Sequence, residues 1–134
     1  MATTMKHDET TKFPTAEAHA AHDLLMAECL ENCQHSAQLC RSLVPHCLSM
    51  GGPHASEDHI RRLLVCAETC DAAVRLMAYK SEFHAEMCGL CAKVCRDCAE
   101  ECARLAGDDE QMKTCARQCR DCADTCERMS AHAH

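Results

Sequence analysis

The sequence predicts an all-α protein, an up-down antiparallel four-helix bundle with a cysteine-lined core. Three observations carry that prediction. Nine of the 15 cysteines of the 134-residue chain, Cys88 to Cys102 and Cys115 to Cys126, recur at steps of three and four residues, the spacing of a helix seam that faces a bundle interior. No segment alternates apolar and polar residues with period two, so no strand is expected. The periodic stretches are separated only by short breaks rich in Gly, Pro, Ser or Asp, and short connections place successive helices antiparallel.

The first helix is expected over about 15–50, with Thr15 as N-cap and a seam of His22, Met26, Cys29, Cys33, Ser36, Cys40, Leu43, Cys47 and Met50. Pro45 should kink its last turns, because proline removes a backbone donor and crowds the preceding turn. Gly51-Gly52-Pro53 then ends it. The second helix, about 56–79, starts at Ser56 and carries His59, Leu63, Cys66, Cys70, Ala73 and Met77. After a break at Lys80-Ser81, where Ser81 is expected to cap, the third covers about 82–106 with His84, Cys88, Cys91, Cys95, Cys98, Cys102 and Leu105. Gly107-Asp108-Asp109 stops it and caps the fourth, about 109–130, with Met112, Cys115, Cys119, Cys122, Cys126 and Met129. The bundle thus occupies 15–131, and the polar, mixed-charge residues 1–14 are expected to form a flexible N-terminal segment. Outer faces are expected to carry the charged residues, Gln and Ala.

One helical unit is reused. Cys91-Ala-Lys-Val-Cys95-Arg-Asp-Cys98-Ala-Glu-Glu-Cys102 matches Cys115-Ala-Arg-Gln-Cys119-Arg-Asp-Cys122-Ala-Asp-Thr-Cys126 at an offset of 24, and Cys66-Ala-Glu-Thr-Cys70-Asp-Ala-Ala73 is a weaker echo.

Composition sets the chemistry. Leu, Ile, Val and Phe number only 18, a level at which a charged chain stays disordered unless something else builds the core. Cysteine is the remaining material. An odd number cannot pair completely within one chain, and the N-terminus has neither the basic nor the apolar region of a secretory leader. A cytoplasmic protein with reduced thiols is therefore expected. No run approaches the roughly 18 apolar residues of a membrane span. A net charge of −7 speaks against nucleic acid and anionic membranes as partners. No nucleophile–base constellation stands outside the cysteine ladder, so no enzymatic turnover is expected.

A core of Cys and Ala gives up about 1–3 kcal/mol per position relative to aliphatic side chains, which a purely structural role does not explain. Soft thiolates select Cu(I), Zn(II) and iron–sulfur clusters. One Cu(I) per displaced thiol proton leaves a buried core neutral, whereas Zn(II) with four thiolates leaves a net −2 there. Four converging ligands are poorly supplied by a single-helix ladder, and two-coordinate bridging suits it. All fifteen cysteines, Cys29, Cys33, Cys40, Cys47, Cys66, Cys70, Cys88, Cys91, Cys95, Cys98, Cys102, Cys115, Cys119, Cys122 and Cys126, are candidate ligands. Bridging gives a capacity on the order of 15 Cu(I) per chain. Two alternatives stay open: a thiol redox protein, suggested by the C-x-x-C steps, and a reservoir of zinc or another soft metal.

The ladders and their repeat resemble the bacterial copper storage proteins, cysteine-lined four-helix bundles, over about His19 to Met129. Without a leader, the chain resembles the cytosolic branch. The resemblance implies storage and buffering of many Cu(I) ions on core thiolates, and assembly as a homotetramer.

The two bundle ends differ. One collects Phe13, Tyr79 and Phe83, the only aromatics, with Leu25, Met26, Met77 and Met129, and is expected to be plugged. The other offers Met50, His54, His59 and Met112 as candidate auxiliary ligands at a copper mouth near Cys47, Cys102 and Cys115, because thioethers and imidazoles exchange Cu(I) more readily than a thiolate cage. His22 and His84 are expected to be structural. His132 and His134 are expected in a frayed tail, with weak metal docking as an alternative.

Overall fold

The computed structural model describes residues 15–132. The N-terminal segment 1–14 with Phe13, the His132 side chain and His134 lie outside the described residues. Four helices run in order: α1 Ala16–Met50, a short 3-10 turn Gly52–Ala55, α2 Glu57–Ala78, α3 His84–Ala106 and α4 Glu110–His132. Among the described residues there is no strand.

Local chemistry sets the helix starts. The Thr15 hydroxyl accepts from the Ala18 N–H at 3.1 Å, and that of Ser56 accepts from His59 N–H at 3.1 Å, each satisfying a donor with no partner inside the first turn. Asp109 does the same for α4, its Oδ1 accepting from Gln111 and Met112 N–H at 3.0 and 3.3 Å. Ser81 behaves differently from expectation. Its hydroxyl takes the Phe83 N–H at 3.0 Å, which holds a turn, and α3 begins only at His84. Gly51 and Gly107 end their helices at φ of 74° and 55°, a left-handed conformation that costs glycine little. Pro45 lies within α1 on its exposed side, and the helix continues to Met50.

The helices stand at the corners of a square. α1 packs on α2 and α4, α3 packs on α2 and α4, and the diagonal pairs meet mainly through side chains. Ion pairs stitch each side: Arg41 to Glu68 and Asp71, Arg62 to Asp97, Arg96 to Glu127, and Arg128 to Glu28. Such surface pairs fix register more than stability. Between α1 and α4 a polar seam adds Asn32 Nδ2 donating to Thr125 Oγ1 and Gln118 Nε2 to Asn32 Oδ1, both at 3.2 Å. α3 and α4 approach closely, since a Cβ on Gly89 would stand 3.0 Å from Ser130 Oγ. At 35 residues, or about 52 Å, α1 outruns its neighbours by several turns, and its first fully buried side chain is Cys29.

All fifteen cysteines are buried. Leu43, Leu63, Met77, Met112 and Met129 are the large apolar side chains that join them, and Ala37, Ala67, Ala73, Ala92, Ala99, Ala106, Ala116 and Ala123 fill the remainder. The alanines correct one expectation: apart from Ala73, already placed on the seam, they are expected on outer faces and instead lie inside, where they let helices approach.

Candidate metal centre

The seam converts sequence spacing into a column of sulfur. On α4, Cys115 and Cys119 stand 3.9 Å apart, as do Cys122 and Cys126; on α3, Cys91 and Cys95 are 3.8 Å apart. Opposing helices close the gaps. Cys40 Sγ lies 3.8 Å from Cys98, Cys115 and Cys119. Cys33 lies 3.4 Å from Cys126 and 3.6 Å from Cys122, and Cys29 lies 3.6 Å from Cys126. From α2, Cys66 is 3.8 Å from Cys95 and 4.0 Å from Cys119, and Cys70 is 3.5 Å from Cys95 and 3.7 Å from Cys91. Cys88 and Cys102 are buried toward opposite ends of α3.

Three sulfur quartets converge, each with all four Sγ atoms within 4.8 Å of one another: Cys40, Cys66, Cys98 and Cys119; Cys33, Cys91, Cys122 and Cys126; Cys70, Cys91, Cys95 and Cys122. The first takes one sulfur from each helix. The expectation that the ladder supplies converging ligands poorly therefore fails, because convergence comes from the square of helices and not from one strip. With metal–sulfur bonds near 2.3 Å, tetrahedral and trigonal sites want sulfurs about 3.8–4.0 Å apart and a linear one about 4.6 Å. Three- and four-coordinate sites need little movement, and linear bridges need the sulfurs to part by up to about 1 Å.

Electrostatics decides what geometry leaves open. The only buried polar side chains among the described residues are Ser36, His59 and Thr125, so no lysine or arginine is there to offset an excess of thiolates. Monovalent ions matched one to one with thiolates avoid that excess charge. The thiols hydrogen-bond to one another: the contact between Cys122 and Cys126 pulls the Cys122 thiol down and pushes Cys126 up.

At the end formed by the α1 C-terminus and the α4 N-terminus, Cys47 stands apart from the column. Its thiol donates to Met112 Sδ at 3.5 Å and lies 3.5 Å from His59 Nε2. Burial, then the charge of Asp109, pushes this thiol up to about 11. His59 is buried, with Nδ1 unpartnered, and burial holds its imidazole below the ordinary value of 6.5. Of the four candidate auxiliary ligands, His59 and Met112 thus join Cys47. Met50 is 53% exposed at the rim, and His54 turns toward Asp109.

The opposite end corrects the expected aromatic plug. Tyr79 and Phe83 are 73% and 59% exposed. Met77 and Met129 close that end, with Leu25 and Met26 half-buried against the core. Phe13 lies outside the described residues. His84 keeps a structural contact, Nδ1 to Ser81 O at 2.7 Å, and His22 is half-buried on α1. Sequence reasoning missed His46 and, beyond its role as a cap, Asp109; His46 Nε2 and Asp109 Oδ2 lie 2.6 Å apart. The signal in the sequence is a histidine beside a seam cysteine, but His46 itself lies off the seam.

A sequence profile of the family described as copper storage protein matches residues 22–131. Among solved structures, the chain is similar to a protein from Nitrosospira multiformis (36% identity, 81% of this chain and 97% of that one, TM-score 0.76). It is similar to a Cu(I)-bound copper storage protein (32% identity, 79% and 98% coverage, TM-score 0.73). It is also similar to a cytosolic copper storage protein from Streptomyces lividans described with five coppers (32% identity, 84% and 97% coverage, TM-score 0.75).

Proposed function

The chain belongs to the copper storage protein family, and from that membership we propose that it stores and buffers many Cu(I) ions per chain in the cytoplasm, held by the thiolates of its core. One observation carries the reading: fifteen buried thiols line one bundle interior in which, among the described residues, no lysine or arginine is buried. We assign all fifteen cysteines as ligands. Cys47, His59 and Met112 form the exchange site at the mouth, with Met50 at its rim.

The protein binds and releases its cargo without turnover. A redox role is disfavoured because redox-sensing cysteines are accessible and of low pKa, whereas all of these are buried. Relatives with matching geometry support the cytosolic assignment. No helix among the described residues is long and apolar enough to cross a membrane, and the charge of −7 disfavours nucleic acid. The homotetramer implied by resemblance has apolar surface to use, since Leu64 and Val65 are exposed on α2.

Anaerobic titration of the reduced protein with Cu(I) against a competing chelator tests storage. Saturation near one Cu(I) per thiolate, on the order of 15, is expected; saturation at one or two ions overturns it. For the mouth, His59→Ala and Met112→Leu should change the rate of Cu(I) removal by the chelator, while Met77→Leu and Met129→Leu should not. The reverse pattern would move the mouth to the other end.

A further inference from the structure

We propose that His46, His54 and Asp109 form a second metal site beside the mouth, one that takes a divalent transition ion of the Zn(II) class and is separate from the thiol column. Three elements bring the residues together. His46 lies near the C-terminus of α1, His54 in the 3-10 turn, and Asp109 immediately before α4. The carboxylate divides its work: Oδ1 caps α4 through Gln111 and Met112 N–H, and Oδ2 faces both imidazoles, 2.6 Å from His46 Nε2 and 3.7 Å from His54 Nε2.

The unexplained atom is His54 Nε2. It is buried and has no hydrogen-bond partner, although its side chain is only 16% exposed and the carboxylate beside it 8%. A buried imidazole nitrogen without a partner is costly. At 3.7 Å it is too far from Oδ2 for a hydrogen bond. That gap is close to the spacing of two ligands on one tetrahedral ion, about 3.3 Å for bonds near 2.1 Å. The His46–Asp109 contact is a hydrogen bond that would open by less than about 1 Å to the same spacing. Two imidazoles and a carboxylate are a nitrogen–oxygen set, suited to Zn(II)-class ions and not to the soft Cu(I) of the column. Neighbouring Asp108 and Glu110 add negative charge that favours a cation over the anion usually drawn to a helix N-terminus.

The test uses the full chain, first saturated anaerobically with Cu(I) so that the thiols are occupied, then titrated with Co(II) as the probe. One equivalent should bind with weak ligand-field absorption and without sulfur-to-cobalt charge transfer, and Zn(II) should displace it. His46→Ala and His54→Ala should each weaken Co(II) binding by at least about tenfold, with helicity and Cu(I) capacity unchanged. His54→Gln, conservative in size and lying in a turn, serves if either alanine variant unfolds. No saturable Co(II) binding, binding indifferent to both histidines, or a sulfur charge-transfer band overturns the site. Cu(I) capacity is read in the same samples. A low capacity would sink storage alone, because the absorption spectrum still separates a nitrogen–oxygen site from thiolates.

Discussion

The α3–α4 half and the α1–α2 half line the same column with different materials. α3 and α4 carry nine of the fifteen cysteines in unbroken ladders, backed by Ala92, Ala99, Ala116 and Ala123, small residues that permit close approach. α1 and α2 carry six, interrupted on the seam by Ser36, Leu43, Leu63 and Ala73. Every interhelical thiol–thiol hydrogen bond among the described residues joins one half to the other, as Cys33 does with Cys126 and Cys70 with Cys95. Donor density and cohesion are thus separated. One half is a wall of sulfur. The other closes the coordination spheres and contributes Leu43 and Leu63, the only leucines fully inside among the described residues.

The largest expected effect follows from sharing. Cys91 and Cys122 each belong to two of the three quartets. Replacing both with Ala should lower Cu(I) capacity by about four ions, twice the number of thiols lost, because their bridged partners lose coordination. Replacing Cys29 and Cys47, outside the quartets, should cost about two. Equal losses in a chelator titration would erase the distinction between hub and periphery.

Cohesion gives the second prediction. Leu63→Ala should destabilise the metal-free protein by about 2–5 kcal/mol. Cys66→Ala, which removes a single small apolar group, should cost about 1 kcal/mol. Denaturant unfolding of the metal-free form distinguishes them, and similar costs would show that the leucines are not what holds this half together. Loading with Cu(I) should raise the melting temperature of both variants, since ions that bind only the folded chain stabilise it by mass action.

Why one half reads more easily than the other is visible in the same residues. The α3–α4 ladders are legible because step and residue type agree over long stretches, and the offset-24 repeat confirms the period. Helix existence, order and the buried seam all follow from that period and from the caps Thr15, Ser56 and Asp109. The alanines beside the cysteines were not legible as interior, because Ala favours helices on any face and only packing reveals which face it occupies. The sulfur quartets were not legible because they depend on how four helices meet, which spacing within one helix does not encode. Tyr79 and Phe83 misled because aromatic type suggests burial, while both sit at a turn where neighbouring helices offer no cover. His46 and Asp109 meet only where α1 packs on α4, and His54 joins them through the path of the Gly51–Ser56 connection.

A smaller effect probes whether α2 can be made to resemble α3. Ala73 sits fully buried on the seam where the repeat elsewhere has its third cysteine. Ala73→Cys should add about one Cu(I) to the capacity, and overpacking should cost the metal-free protein about 1 kcal/mol. Unchanged capacity, with the fold intact, would mean that position 73 faces apolar neighbours and not the column, which would narrow the donor-poor region to α2.

The smallest effect belongs to the proposed mouth, where the α1–α2 half supplies two groups shifted in opposite directions. His59 is held below 6.5 by burial, so the folded chain binds that proton less readily than the unfolded chain. Its contribution to stability is present above pH 6.5 and is lost as pH falls through the lowered folded value. Cys47 runs the other way: with its thiol pushed from 9.0 up to about 11, its contribution is full below pH 9.0 and is lost as pH rises through about 11. The metal-free mouth is therefore most stable between these limits. Melting temperatures across that range should show His59→Gln flattening the acid limb and Cys47→Ala reducing the alkaline one. An acid limb indifferent to residue 59 would show that protonation acts elsewhere in the chain.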